Sequence, residues 1–77
     1  MRIDKYLKQT GLIKRRVVAQ QMIESGKVQV NGRNVRSSYE VKIGDVIRII
    51  FPFREVEAMV TEENSFKILR ESKREPL

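Results

Sequence analysis

Three cations in a row, Lys14-Arg15-Arg16, stand where the apolar spacing predicts a helix to begin. A helix N-terminus carries partial positive charge, and Ser, Thr, Asp or Asn normally caps it. Each misplaced cation there costs on the order of 0.3–1 kcal/mol at low salt. A local rule broken without visible compensation points to function, and a phosphate would supply the compensation. First-turn N–H groups and the dipole already favour an anion, and long cationic side chains add charge-assisted hydrogen bonds. The plainer alternative is that the three side chains simply extend into water.

Other residues extend this basic surface. Arg2, Lys5 and Lys8 recur at i, i+3 and i+6, off the Ile3/Leu7 stripe, so they are expected to face solvent. Asp4 stands alone as the acid of the first 23 residues. It serves either as a first-turn carboxylate at a helix start or, the reading favoured here, as an anchor that orients Arg15 or Arg16. Gln20 follows Arg16 by one helical turn and is either a sugar or phosphate contact or a plain exposed amide. Lys27 and Arg33 reach the ligand if the hairpin between them folds toward the second helix. Asn31 and Gly32 are expected to serve turn geometry, with nucleic-acid contact as the second reading of Asn31.

The chemistry left out is as informative. The chain has no cysteine and no histidine. Disulfides, cysteine metal sites, the commonest general base and the serine triad are thereby absent. Glu62-Glu63 is an adjacent acid pair in an expected turn, which reads as a solvated loop rather than a catalytic dyad. No cofactor, metal or catalytic residue is expected, and an enzyme ranks last. No run approaches the roughly 20 apolar residues of a membrane span, and the charged start Met1-Arg2-Ile3-Asp4 reads as an untargeted cytoplasmic protein.

Net charge is +6, and its placement matters more than its size. Residues 1–36 hold nine basic residues against two acids, whereas residues 37–77 hold seven against eight. The surplus sits in the first half, the footprint of a polyanion-binding face. Aromatic residues make up only 6% and do not interleave with cations, so stacking platforms for single strands are not evident. Backbone and shape readout of structured nucleic acid fits better.

With 77 residues the chain has room for one core. Apolar spacing changes from helical to alternating near Gly26. Ile3, Tyr6 and Leu7 mark a first helix ending before Gly11. Val18, Ala19, Met22 and Ile23 mark the buried stripe of a second helix over about Lys14 to Ser25, closed by Gly26. Lys27-Val28-Gln29-Val30, Asn31-Gly32 and Arg33-Asn34-Val35 form a hairpin, since Asn-Gly suits a turn whose two residues need φ > 0. Tyr39 and Val41 plug the core. Val46–Phe51 is the most apolar strand and stops at Pro52. Glu55–Val60 and Phe66–Leu69 are two further strands. The class is α+β, two N-terminal helices on a small antiparallel sheet. Residues 1–69 form a single domain, and 70–77 a charged tail that is expected to fray.

Four blocks stand in a recognisable order: Arg2-Ile3-Asp4-Lys5-Tyr6-Leu7, Leu12-Ile13-Lys14-Arg15-Arg16, Gly26-Lys27-Val28-Gln29-Val30-Asn31-Gly32, and Val41-Lys42-Ile43-Gly44-Asp45-Val46-Ile47. Together they resemble the RNA-binding domain named after small-subunit ribosomal protein S-four. The chain is most similar to the short stand-alone branch that holds small heat-shock ribosome-binding proteins and ribosome-associated quality-control factors. Thr10-Gly11 departs from a pattern in which relatives often carry a serine followed by a basic residue. The resemblance implies binding to rRNA of a separated large ribosomal subunit that still carries peptidyl-tRNA. It also implies support for C-terminal tailing of the stalled chain with the partner RqcH. On this resemblance Arg2, Arg15 and Arg16 match the RNA-contacting basic positions, with Asp4 as their support. A monomer without membrane contact is expected.

Alternatives from other classes are a general heat-shock-type ribosomal RNA-binding factor, a DNA-binding protein, and an adaptor whose basic face meets an acidic partner. Against DNA, the chain turns to strands after its second helix, and that helix gathers charge at one end rather than along a groove-reading face.

Overall fold

The computed structural model describes residues 1–62 and 64–74. Helix α1 spans Ile3–Gln9 and α2 spans Arg16–Glu24. Five strands follow: β1 (Val28–Val30), β2 (Arg33–Asn34), β3 (Val46–Ile50), β4 (Arg54–Glu62) and β5 (Ser65–Lys73). They make one sheet in the order β2-β1-β3-β4-β5, antiparallel at every pairing. The structure is therefore α+β, as the change of apolar period indicates.

Burial follows that periodicity. α1 buries Ile3, Tyr6 and Leu7, and α2 buries Ala19 and Ile23. These close over Val28 and Val30 of β1, Ile47 and Ile49 of β3 and Val60 of β4. Register keeps the apolar residues on one face, with Val28 opposite Ile49 and Val30 opposite Ile47. The Tyr6 hydroxyl donates to the Ser65 carbonyl at 2.6 Å, tying α1 to the far edge of the sheet. Tyr39 and Val41 pack against the core as half-buried residues.

The hairpin turn has the expected geometry, with φ of 51° at Asn31 and 80° at Gly32. Asn31 has a second task that turn chemistry did not suggest. Its amide donates to buried Asp45 at 3.1 Å, while its carbonyl oxygen accepts from the Val46 N–H at 3.0 Å. Asp45 also accepts from the Tyr39 hydroxyl at 2.8 Å and the Lys42 N–H at 3.0 Å. The hairpin and the Lys42–Asp45 turn are thus fastened together.

Three expectations need correction. α2 starts at Arg16 rather than Lys14; Arg15 occupies the N-cap with extended backbone and no side-chain capping bond. Val18 is 39% exposed and Met22 half-buried, because Ala19 and Ile23 form the buried stripe, while Met22 packs on the margin of the core and with Val18 lines a cleft beside β3. β5 runs to Lys73, so Arg70–Lys73, placed by sequence in the tail, pair with Arg54–Glu57 of β4. Residues 75–77 of the expected tail, and Glu63 of the acid pair, lie outside the described residues.

Candidate nucleic-acid interface

Asp4 is fully buried at the start of α1, and a buried carboxylate needs partners for its charge. It has five contacts. The Lys5 N–H donates to Oδ1 at 2.8 Å, and Gln20 Nε2 donates to Oδ2 at 2.8 Å. Arg2 Nη2 lies 3.2 Å from Oδ2, and Arg16 reaches both oxygens, Nε at 3.3 Å from Oδ2 and Nη2 at 3.4 Å from Oδ1. Burial by itself would raise the Asp4 pKa. The Gln20, Lys5 and Arg16 hydrogen bonds, with the Arg16 charge, outweigh it and hold the carboxyl below its ordinary value.

Arg2 and Arg16 remain 45% and 44% exposed. Each guanidinium has five donors and Asp4 takes only one or two from each, so the rest stay available to an outside anion. One side of each fork is fixed to a buried point and the other faces out. This lowers the entropy of ordering two long side chains around a phosphate. Chemically, the arrangement can hold and position an anion through these outward donors.

Of the three arginines expected to lean on Asp4, Arg2 and Arg16 contact it and Arg15 does not. Gln20 is half-buried and spends its amide N–H on Asp4, so it is a positioning group more than a free reader. Lys14 is outside α2 and lines a separate cleft with Lys27. Lys5, Lys8, Arg15 and Arg33 are exposed, and no side-chain contact ties them to Asp4. Asn31 and Gly32 hold the turn described above.

Sequence reasoning passed over Arg36. It lines a recess of about 450 Å³ with Arg2, Asn34 and Ser37, and the buried Ser37 hydroxyl there has no hydrogen-bond partner. A short antiparallel backbone pairing explains the proximity, with the Val41 N–H donating to the Met1 carbonyl at 3.0 Å. Arg2 bridges to Glu40, and the Ile3 and Asp4 N–H groups donate to the Tyr39 and Ser37 carbonyls. Counting charge gave Arg36 no special weight; the bridge that brings it to Arg2 carries no local sequence signal. Among the described residues no group of three His, Cys, Asp or Glu side chains could hold a metal ion, and no helix is long and apolar enough to cross a membrane.

Comparison with known proteins gives a concordant picture. Residues 1–47 match the S4 domain family. A protein of Bacillus subtilis named RQC P-site tRNA stabilizing factor is 35% identical over an alignment 83 positions long, covering 95% of this chain and 96% of that one. Its Listeria monocytogenes namesake is 45% identical over 69, covering 87% and 75%. Among solved structures, the trimeric heat shock protein 15 of Vibrio cholerae superposes with a TM-score of 0.82 at 25% identity, over 88% of this chain and 80% of that one. The buried carboxylate and its arginines lie inside the matched segment, and the chain belongs to the S4 domain family, in the group that holds the RQC P-site tRNA stabilizing factors.

Proposed function

We propose that this chain is a non-catalytic RNA-binding protein of the cytoplasm. It binds structured rRNA and tRNA on the large ribosomal subunit, in the rescue of stalled nascent chains that still carry peptidyl-tRNA. The observation that carries this reading is the buried Asp4 carboxylate holding Arg2 and Arg16 half-exposed side by side. Family membership supports it, as do the names of the relatives, which refer to P-site tRNA. Arg15, Lys14, Lys5, Lys8, Lys27 and Arg33 supply the surrounding positive field, and RqcH is the tailing partner this role would require.

The test is co-sedimentation with purified large subunits that carry peptidyl-tRNA. Arg16→Glu is expected to weaken association by roughly tenfold or more while far-ultraviolet circular dichroism stays native. One charged hydrogen bond lost is worth about 1.5–3 kcal/mol. A folded Arg16→Glu variant that co-sediments normally overturns the assignment.

A second reading is favoured by one observation, the close superposition on a heat shock protein. In that case the chain is a general ribosomal RNA-binding factor. Equal affinity for empty large subunits and for those bearing peptidyl-tRNA would select it.

A further inference from the structure

The RNA reading draws on Lys14 and Lys27 at the rim of one cleft but leaves its apolar floor unused. It has a volume of about 890 Å³ and lies between α2 and the β3–β4 connection. Its floor is apolar, formed by Leu12 and Met22, Val18 at 39% exposure, and Phe51. A cavity of this size on a 77-residue chain is large.

The rim is cationic. Lys14 and Lys27 stand on it with Arg54 and Arg74, and no acidic side chain among the described residues lines it. Arg54 has Glu71 at 2.9 Å, and Arg74 lies a loose 3.9 Å from Glu55. Neither lysine forms an ion pair among the described residues. An occupant must therefore bring apolar groups for the floor and negative charge for the edge.

RNA brings the charge but fits the floor poorly. A nucleobase carries donors and acceptors along its edges, and burying them without partners is costly. Leu12, Val18, Met22 and Phe51 offer none. Two backbone donors beside Phe51 are already used: the Ile50 N–H donates to the Lys27 carbonyl and the Phe51 N–H to the Arg54 carbonyl, both at 2.8 Å. A second copy fits poorly too, since each chain carries a net charge of +6.

We propose that this cleft docks an acidic amphipathic segment of a partner protein, its apolar side chains on Leu12, Val18, Met22 and Phe51 and its carboxylates against Lys14 and Lys27. Met22 suits such a role, because its unbranched, polarizable side chain adapts to varied shapes. The mode is a helix laid in a groove, read through residues three and four apart. Lys14 precedes Arg16 by two residues, so the docked segment would sit beside the RNA face and leave the Asp4 cluster open.

The experiment uses the full chain and a fluorescein-labelled peptide with leucine at every third or fourth position and glutamate between, followed by fluorescence anisotropy. Saturable binding is expected. A serine-for-leucine peptide is expected to bind about tenfold more weakly, and a lysine-for-glutamate peptide not to bind. Val18→Gln should weaken the peptide by roughly tenfold while affinity for a structured RNA hairpin stays within about twofold. In parallel, titration of the isotopically labelled native chain should shift the amide resonances of Leu12, Val18, Met22 and Phe51, a readout independent of whether the variant folds. Absence of saturable binding, or equal binding of the serine peptide, overturns the proposal. So do shifts confined to Arg2, Arg16 and Gln20. Displacement of the peptide by the RNA hairpin would give the cleft to RNA, and peptide binding lost on self-association would give it to a second copy. Because the RNA arm is measured separately, failure here leaves the RNA reading standing, and the reverse also holds.

Discussion

Asp4 carries more consequence than any other side chain of the site. Asp4→Asn keeps the shape but removes the charge that holds Arg2 and Arg16. Both guanidiniums are nearly half-exposed and can rehydrate, so the expected loss is only about 1–2 kcal/mol, read by urea denaturation. RNA affinity should also fall, although no RNA-facing charge has been removed. The pH dependence follows from the sign of the shift. The folded Asp4 and Asp45 carboxyls are both held below their ordinary value. Their contribution is therefore fully present above about pH 4 and is lost as pH falls through the lowered folded values. Stability measured by urea denaturation should begin to fall near the ordinary aspartate value and continue falling below it, and Asp4→Asn should flatten that fall. Asp4 could be read as an anchor from sequence because it is the one acid in a long basic stretch. That Gln20 serves it could not, since exposed and inward-turned amides leave the same trace in a sequence.

At the scale of the element, α2 begins badly by the rules of helix capping. Arg15 occupies the N-cap without a capping bond, and the first turn has no acid. Arg15→Ser should stabilise the chain by about 1 kcal/mol, visible as a raised melting temperature, and at the same time weaken association with large subunits. A variant that gains stability with no loss of binding would show that Arg15 is idle. In the hairpin, Gly32 sits at φ 80° with open space where a Cβ would point. Gly32→Ala should therefore cost roughly 1–2 kcal/mol from backbone strain alone, measured by thermal denaturation. The hairpin was legible because Asn-Gly between alternating valines has few other readings. β5 was legible only at its start. Beyond Leu69 its residues are polar or charged and largely exposed, and as an edge strand it lacks the alternation that burial of one face imposes. The short bridge from Arg2 to Glu40 left no pattern at all, which is why Arg36 escaped notice.

For the molecule as a whole, charge and shape decide behaviour together. The basic surplus of residues 1–36 lies on a body of about 35 × 24 × 22 Å. Association with RNA should weaken with salt at a log–log slope of roughly −0.7 to −0.9 per phosphate contacted. Sedimentation across a salt series gives that number, and Arg2→Ala should lower the slope by about one contact. A salt-independent affinity would show that the basic half is not the contact surface. The sheet has a consequence of its own. β5 ends it with nine residues that, among the described residues, have no strand on their outer side, a natural template for cross-β growth. Lys67, Arg70 and Lys73 along that margin, and the register break that leaves Leu69 without a partner on β4, interrupt such a template. Replacing those three cations with threonine should make the chain seed thioflavin-positive fibres at a lower protein concentration than the native sequence does.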